Sequence, residues 1–265
     1  MKKYLLPKSD EINSYKANLH CHTNLSDGHY TPEQVAKVYK DLGYSVLAYT
    51  DHDILIPHDE LGDENFLILH GFEMEINEPK DEPFYKIKTC HICFIALDED
   101  NLIQPFWHRS KYLIHNAPKN AHLVKFDENE PDFEREYTPE CISYIMQTAR
   151  KKGFFVTYNH PTWSLENASD YLNYDGFFAV EIYNHGCVSA YGFCDEHVMD
   201  DFWRAGKPIL CTASDDAHGY KDVAGGDAFG GWVQIAAPAL TYKDIMHALQ
   251  AGDFYASSGP EIKSL

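Results

Sequence analysis

Nowhere in the 265 residues does an uninterrupted apolar run approach the ~20 residues needed to cross a bilayer, so no membrane partner is expected. Basic residues are few: 22 lysines and arginines stand against 41 aspartates and glutamates, a formal net charge of -19. They are also scattered, with Lys151-Lys152 the only notable pair beyond the N-terminus. A surface of this sign repels polynucleotide backbones, which argues against a nucleic-acid polymer as partner. It leaves room for a small anionic substrate held through divalent ions, which would cancel part of the charge locally. Cysteine chemistry is thin as well. Seven thiols are an odd number, most sit in apolar strand or helix patterns (Cys93, Cys141, Cys211), and reduced core thiols fit better than a disulfide framework. Cys90-His91-Ile92-Cys93 has no second CxxC to complete a structural zinc site. Internal repeats and low-complexity segments are absent. The opening Met1-Lys2-Lys3-Tyr4-Leu5-Leu6-Pro7 gives way to Lys8, Ser9 and Asp10 too soon for a signal peptide, and a cytoplasmic location is expected.

What is present is globular: 44% hydrophobic and 14% aromatic residues, in a length common among single α/β barrels. Short apolar strands alternate with amphipathic helices, the signature of βα repetition. Strands are expected over 17–19, 44–49, 66–69, 154–158, 177–183, 208–213 and 232–236, with a hairpin arm through Tyr85 to Leu97. Thr31-Pro32-Glu33-Gln34 is a helix start with Thr cap, Pro at the first position and a capping-box Gln. Val35, Val38, Tyr39 and Leu42 follow at helical spacing up to Gly43. Further helices are expected from Thr138 to Gly153, about 195–205 and 241–251. Residues 1–265 are read as one domain. Within it, about 98–136 is polar, lacks a clear period, and forms an irregular excursion over the barrel mouth.

Ligand-type side chains recur just past strand ends, where barrel enzymes assemble their sites. They are His20 and His22, Asp27, His52, Glu73, His160, and Asp216 with His218. Each alone is weak. A lone histidine on a strand, such as His91, is by itself a hydrogen-bonded core or surface group more often than a ligand. Their recurrence at the ends of neighbouring strands points to a metal centre, because converging imidazoles and carboxylates stay desolvated or repel without a cation between them.

The chain resembles the PHP (polymerase and histidinol phosphatase) family. The resemblance rests on His20-Cys21-His22-Thr23 with Ser26-Asp27-Gly28, Thr50-Asp51-His52-Asp53, Gly71-Phe72-Glu73, His91, Asn159-His160-Pro161 and Asp216-Ala217-His218, whose order and spacing match across residues 18 to 219. It implies an α/β fold, a distorted (β/α)7 TIM-like barrel (PHP barrel), with two or three divalent metal ions (Zn, Mn, Fe or Mg). By the same resemblance one ion would be held by His20, His22, Glu73 and Asp216. A second would share Glu73 and take His91 and His160. A third would take Asp27, His52 and His218, with the Asp at 27 hardening that site toward Mn²⁺ or Mg²⁺. Asp216 rather than Asp215 is the ligand because the family spacing is Asp-x-His.

The expected activity is that of a metal-dependent phosphoesterase acting on a small phosphorylated metabolite through a metal-bridging hydroxide. Asp215, His185 and Tyr183 are candidates for the acid that protonates the leaving alkoxide, although a loop-capping role suits Asp215 better. Asp51, Asp53, Asn159, Glu181 and Asn184 are expected to orient ligating imidazoles. The arginine-rich helical insert with which relatives grip phosphate has no counterpart here. Arg109, Lys111, Lys119 and Arg135 lie in that region without helical period, so phosphate affinity would rest mainly on metals. Two alternatives stand beside this reading: a metal-dependent hydrolase of a carboxylic ester, carbamate or amide, and a non-catalytic metal-binding regulatory PHP module.

Overall fold

Local signals set the helix ends largely as the sequence suggests. In the computed structural model, which describes residues 12–220 and 226–262, helix α1 (Pro32–Asp41) starts at Thr31, whose side chain accepts from the Gln34 N–H in a reciprocal capping box. The N-terminal stretch Met1 to Asp10, read above against a leader, lies outside the described residues. The buried stripe of α1 is Pro32, Val35, Ala36 and Tyr39. Leu42, expected to continue it, is instead the exposed C-cap. The other helices are α2 (Ala117–Asn120), α3 (Pro139–Lys151), α4 (Ala168–Tyr171), α5 (His185–Tyr191), α6 (Glu196–Arg204) and α7 (Tyr242–Ala251).

Nine strands form one sheet among the described residues: β1 (Asn13–Asn18), β2 (Val46–Tyr49), β3 (Leu67–Asn77), β4 (Thr89–Ala96), β5 (Phe154–Asn159), β6 (Ala179–Asn184), β7 (Leu210–Ser214), β8 (Trp232–Ala237) and β9 (Phe254–Ser257). Their order is β7-β6-β5-β4-β3-β2-β1-β8-β9. β4 runs antiparallel to both neighbours, and β8 antiparallel to β1 and β9. β7 packs beside β8 and β9, so the sheet curls into a nearly closed barrel. The strand count departs from seven because the chain closes the ring with the β8 and β9 pair. β9 had no sequence signal of its own beyond small residues after a helix.

The curl explains the core. Ala17, Val46, Leu69, Ile95, Phe155, Ala179 and Val233 come from seven strands yet form one cluster with Ile245, Met246 and Leu249 of α7. Residues from so many strands meet only inside a curled sheet, and α7 reaches across to β3 and β5 as well as β8. Side chains two apart on a strand share a face. The face that carries Leu69 therefore also carries Glu73 and Glu75. In the same way Ile95 shares its face with His91, and Phe155 with Asn159. Each barrel wall is apolar at one end and ligand-bearing at the other. The same alternation puts Cys90 and Cys93 on opposite faces of β4, so this CxxC cannot chelate one ion from a regular strand.

A second cluster packs the outer faces of β3 to β6 against α3 and α6 through Phe72, Phe94, Ile142, Met146, Phe154 and Phe202. Residues 98–136 lie against the loops that follow β1 and β2. Ala117 and Val124 pack with Ile54 and Ile56, and Asn120 Nδ2 donates to the Leu25 carbonyl.

Beneath the loop after β5, the buried Glu166 carboxylate accepts from the hydroxyls of Tyr137, Tyr158 and Tyr174 at 2.7, 2.5 and 2.5 Å. Burial raises its pKa to about 7, outweighing the three tyrosines, which lower it. A carboxyl raised above its unfolded value costs stability once the unfolded chain ionises, so the penalty grows from about pH 4.5 to 7 and then levels off. A Glu166→Gln variant should gain stability relative to the parent protein by up to ~3 kcal/mol between about pH 5 and pH 8, measured by urea denaturation at each pH. An unchanged difference would show that Glu166 ionises normally.

Candidate metal centre

The loops after β1 and β2 begin side by side because these strands pair in parallel, Ala17 with Val46 and Asn18 with Leu47. His20 and His22 leave the first, and a bridge between Cys21 and Ala217 ties them to the Asp216 to His218 loop after β7. Asp51 braces the turn that follows, accepting from the Thr23 N–H, the Thr23 hydroxyl and the Ser26 hydroxyl at 2.8, 2.8 and 2.6 Å. A Cβ on Gly28 would lie 2.6 Å from the His22 carbonyl oxygen, so only glycine lets this turn bring Asp27 back over the site. His160 (φ 29°) and Asp216 (φ 53°) hold left-handed backbone, a strained conformation that clusters at functional sites.

Two candidates do not sit past a C-terminal strand end. Glu73 lies within β3, and His91 stands near the start of β4. Because β4 is antiparallel, its beginning opens on the same mouth as the C-terminal ends of its neighbours, with Glu75 opposite His91 and His91 opposite Asn159.

Glu73 is the hub. His20 Nε2, His91 Nδ1 and His160 Nε2 lie 3.2, 3.2 and 3.3 Å from its Oε1, while His22 Nε2 and His52 Nδ1 are both 3.4 Å from its Oε2. Asp216 Oδ1 adds contacts of 3.2 Å to His20 and 2.9 Å to His22. Asp27 stands 3.6 Å from His22 Nδ1, 3.6 Å from His52 Nε2 and 3.4 Å from His218 Nε2. All nine expected ligand residues thus share one end of the barrel. Four groups bring their ligand atoms within 4.8 Å of one another: His20, His22, Glu73 and Asp216; His22, Asp27, His52 and His218; His52, Glu73 and His91; and His20, His160 and Glu181. His160 therefore clusters with His20 and Glu181 as well as approaching Glu73.

The donor set fits divalent cations. Buried Glu73 Oε2, Asp216 Oδ1, His22 Nδ1, His52 Nδ1 and both ring nitrogens of His91 have no hydrogen-bond partner among the described residues. Unpartnered buried polar atoms are costly, and here they converge. Burial opposes ionisation of Glu73 and Asp216. The surrounding imidazoles, His20 foremost, nonetheless hold both carboxyls well below the usual range. Burial, then His22, pulls His52 down to about 3, leaving it neutral and able to ligate.

The sequence profile of the PHP domain matches residues 18–221. This chain belongs to the PHP family. Its fold is similar to that of a two-domain protein from Bacteroides vulgatus containing a predicted PHP-like metal-dependent phosphoesterase. That match has TM-score 0.56 and 16% identity, covering 97% of this chain and 68% of that one. It is also similar to an amidohydrolase from Chromobacterium violaceum with bound sulfate and no metal, at TM-score 0.51 and 16% identity over 90% of this chain and 97% of that one. At such identity the likeness shows the fold. No curated protein matches the chain.

Around the PHP ligand set, the supporting residues differ from expectation. Only Glu181 of the five orients an imidazole: its Oε1 is 3.0 Å from His20 Nδ1, held by the Ser214 hydroxyl and, at Oε2, by Asn184 Nδ2 at 2.8 Å. Asn159 Nδ2 donates to Glu73 Oε1 at 3.1 Å, and Asn184 Nδ2 donates to Asp216 Oδ2 at 3.0 Å, so both steady carboxylates. Asp53 instead pairs with Arg135 at 2.5 Å. Asp215 is buried with both oxygens taken, by the Tyr39 hydroxyl and by the Gly230 and Gly231 N–H groups, so it braces a turn, and it does not line the metal pocket. Tyr183 and His185 pair with each other at 3.2 Å and do not line the metal pocket.

That pocket, about 190 Å³, is lined by Asp27, His52, Glu73, His91, His160, Asp216 and His218 with Glu75, Phe84, Ile114, His115 and Trp163, and by no lysine or arginine. Arg109, Lys111, Lys119 and Arg135 are engaged elsewhere, by Asp132, Glu134, Asn116 and Asp53. Sequence reasoning missed Glu75, whose Oε2 lies 3.6 Å from His91 Nε2, although its spacing from Glu73 on a strand was visible. Removing the Glu181 carboxylate should loosen His20: Glu181→Ala is expected to weaken Mn²⁺ or Zn²⁺ binding roughly 10–100-fold, read by equilibrium dialysis, with the circular dichroism spectrum retained. Unchanged metal affinity would remove Glu181 from the centre.

Proposed function

We propose that this PHP protein is a metal-dependent phosphoesterase acting on a small phosphorylated metabolite. Family membership and the four ligand groups support the coarser statement, a metal-dependent hydrolase. The observation that carries the finer one is a pocket lined by four carboxylates, Asp27, Glu73, Glu75 and Asp216, and by no lysine or arginine. A phosphate dianion enters it only if cations outweigh these carboxylates.

In this reading His20, His22, Glu73 and Asp216 hold one ion, and Glu73, His91 and His160 a second. Asp27, His52 and His218 hold a third. A neutral imidazole has one free lone pair, so His52, which turns Nδ1 to Glu73 and Nε2 to Asp27, serves one of these ions only. The bound cations would supply Lewis acidity toward the phosphoryl oxygens and an acidified water as nucleophile. Asn159 and Asn184 fix the carboxylates, and Glu181 fixes His20. At the mouth His115, 60% exposed and 3.9 Å from Asp27, stands outside the ligand groups and is our candidate for protonating the leaving alkoxide. It takes that role from Asp215 and His185.

A second reading moves the same centre to a carboxylic ester or amide, favoured by the similarity in fold to the Chromobacterium violaceum amidohydrolase. A metal-binding regulatory module would have no need for open metal coordination facing a pocket.

With added Mn²⁺ or Zn²⁺, p-nitrophenyl phosphate should be hydrolysed and p-nitrophenyl acetate should not, and His22→Ala should abolish turnover. The reverse preference supports the second reading, and full activity in His22→Ala contradicts both. If His115 is the acid, His115→Ala should slow alkyl phosphates by roughly 10²-fold or more while sparing p-nitrophenyl phosphate, whose leaving group needs no proton. Equal losses on both substrates would refute that role.

A further inference from the structure

We propose that the site takes an ester whose leaving group is uncharged and aromatic, seated in a cleft that opens from the metal pocket across Trp163. The proposal deepens the phosphoesterase reading and rests on it for the chemistry of the head group.

The cleft has a volume of about 250 Å³ and is lined by Phe84, Tyr85, Trp163, Tyr191 and Phe193 among others, with no charged residue. Phe84 and Trp163 also line the metal pocket, so the two spaces share a wall. Trp163 sits at the junction. Its ring meets His91 and His160 edge-on, with centroids 5.2 and 5.1 Å away, and lies 5.6 Å from Phe84. A group esterified to a head bound near His91 and His160 would therefore leave the pocket past this indole.

The cleft's chemistry selects what fits. Its two threonine hydroxyls are already committed, Thr162 to Asp195 and Thr89 to the Ile76 carbonyl, so the polar side-chain groups it offers are the tips of Tyr85 and Tyr191 and the Trp163 N–H on otherwise apolar rings. The metal pocket offers no lysine or arginine for a second phosphate. Tyr85 and Tyr191 leave 74% and 63% of their surface exposed, and a cluster of exposed aromatics beside a polar site marks a place where an apolar group binds. The volume exceeds the ~150 Å³ of an apolar cavity known to hold benzene. Ring stacking on Trp163 and Tyr191 would supply the preference for aromatic groups.

The test uses primary-alcohol phosphates, which keep the leaving-group chemistry matched: 2-naphthylmethyl phosphate against ethyl phosphate, with glucose 6-phosphate as the polar control. The expected kcat/KM ratio for the naphthyl over the ethyl ester is about tenfold or more, carried by KM, and Tyr85→Ala or Tyr191→Ala should bring that ratio toward one. A parent ratio near one, or a ratio unmoved by both variants, overturns the proposal. Calorimetric titration of the metal-loaded protein with 2-naphthalenemethanol, which has no ester to cleave, gives a reading independent of turnover: binding weakened by Tyr191→Ala supports the cleft, and no binding overturns it. If no phosphate ester is hydrolysed, the phosphoesterase reading falls while this titration still decides the cleft.

Discussion

Five imidazoles turn a nitrogen toward one buried carboxylate, Glu73, within 3.4 Å, and the rest of the structure is arranged to make that possible. Such a cluster is costly in a low-dielectric interior. Its carboxylate oxygens and ring nitrogens are largely cut off from water, and Glu73 Oε2, His22 Nδ1, His52 Nδ1 and both ring nitrogens of His91 have no hydrogen-bond partner among the described residues. Divalent cations would resolve the conflict, since between them they could accept a lone pair from each of these groups. Folding brings together groups that only a metal reconciles, and stability and function are coupled at that point.

The barrel supplies the convergence. Alternation along β3, β4 and β5 runs one face from Leu69, Ile95 and Phe155 to Glu73, His91 and Asn159, so the apolar core and the ligand shell are two ends of the same surface. The reversed strand β4 has a specific use here. It lets a residue at a strand's beginning join residues at strand ends, and the β3–β4 hairpin extends past the mouth to carry Phe84 beside the pocket. The acidic composition, the pairing of Arg109, Lys111 and Arg135 with carboxylates and the lack of any lysine or arginine in the pocket leave bound cations as the source of positive charge for an anionic substrate.

Much of this was legible in the sequence. The α/β barrel could be read from strand–helix alternation, which is local periodicity, whereas the nine expected ligand residues came as a set from the likeness to the PHP motifs, His91 having no signal of its own. The supporting roles could not. Asp51 and Asp215 carry the motif-adjacent positions that suggest chemistry, yet one braces the Thr23 to Ser26 turn and the other the Gly230 to Gly231 turn, and only tertiary contacts separate such roles. His115 sits in a segment without period, and its approach to Asp27 depends on how residues 98–136 lie across the loops. The aromatic cleft joins Phe84, Trp163 and Tyr191, far apart in the chain and unremarkable one by one. β9 was hidden because its pairing with β8 is decided by closure of the ring.

The central claim is that Glu73 is shared between cations. Anomalous diffraction from crystals grown with Mn²⁺, collected on both sides of the metal's absorption edge, addresses it directly. The account predicts at least two peaks beside Glu73, one reached by His20, His22 and Asp216 and the other by His91 and His160. Crystals that bind Mn²⁺ elsewhere, or show no peak while these side chains keep the same positions, would contradict it.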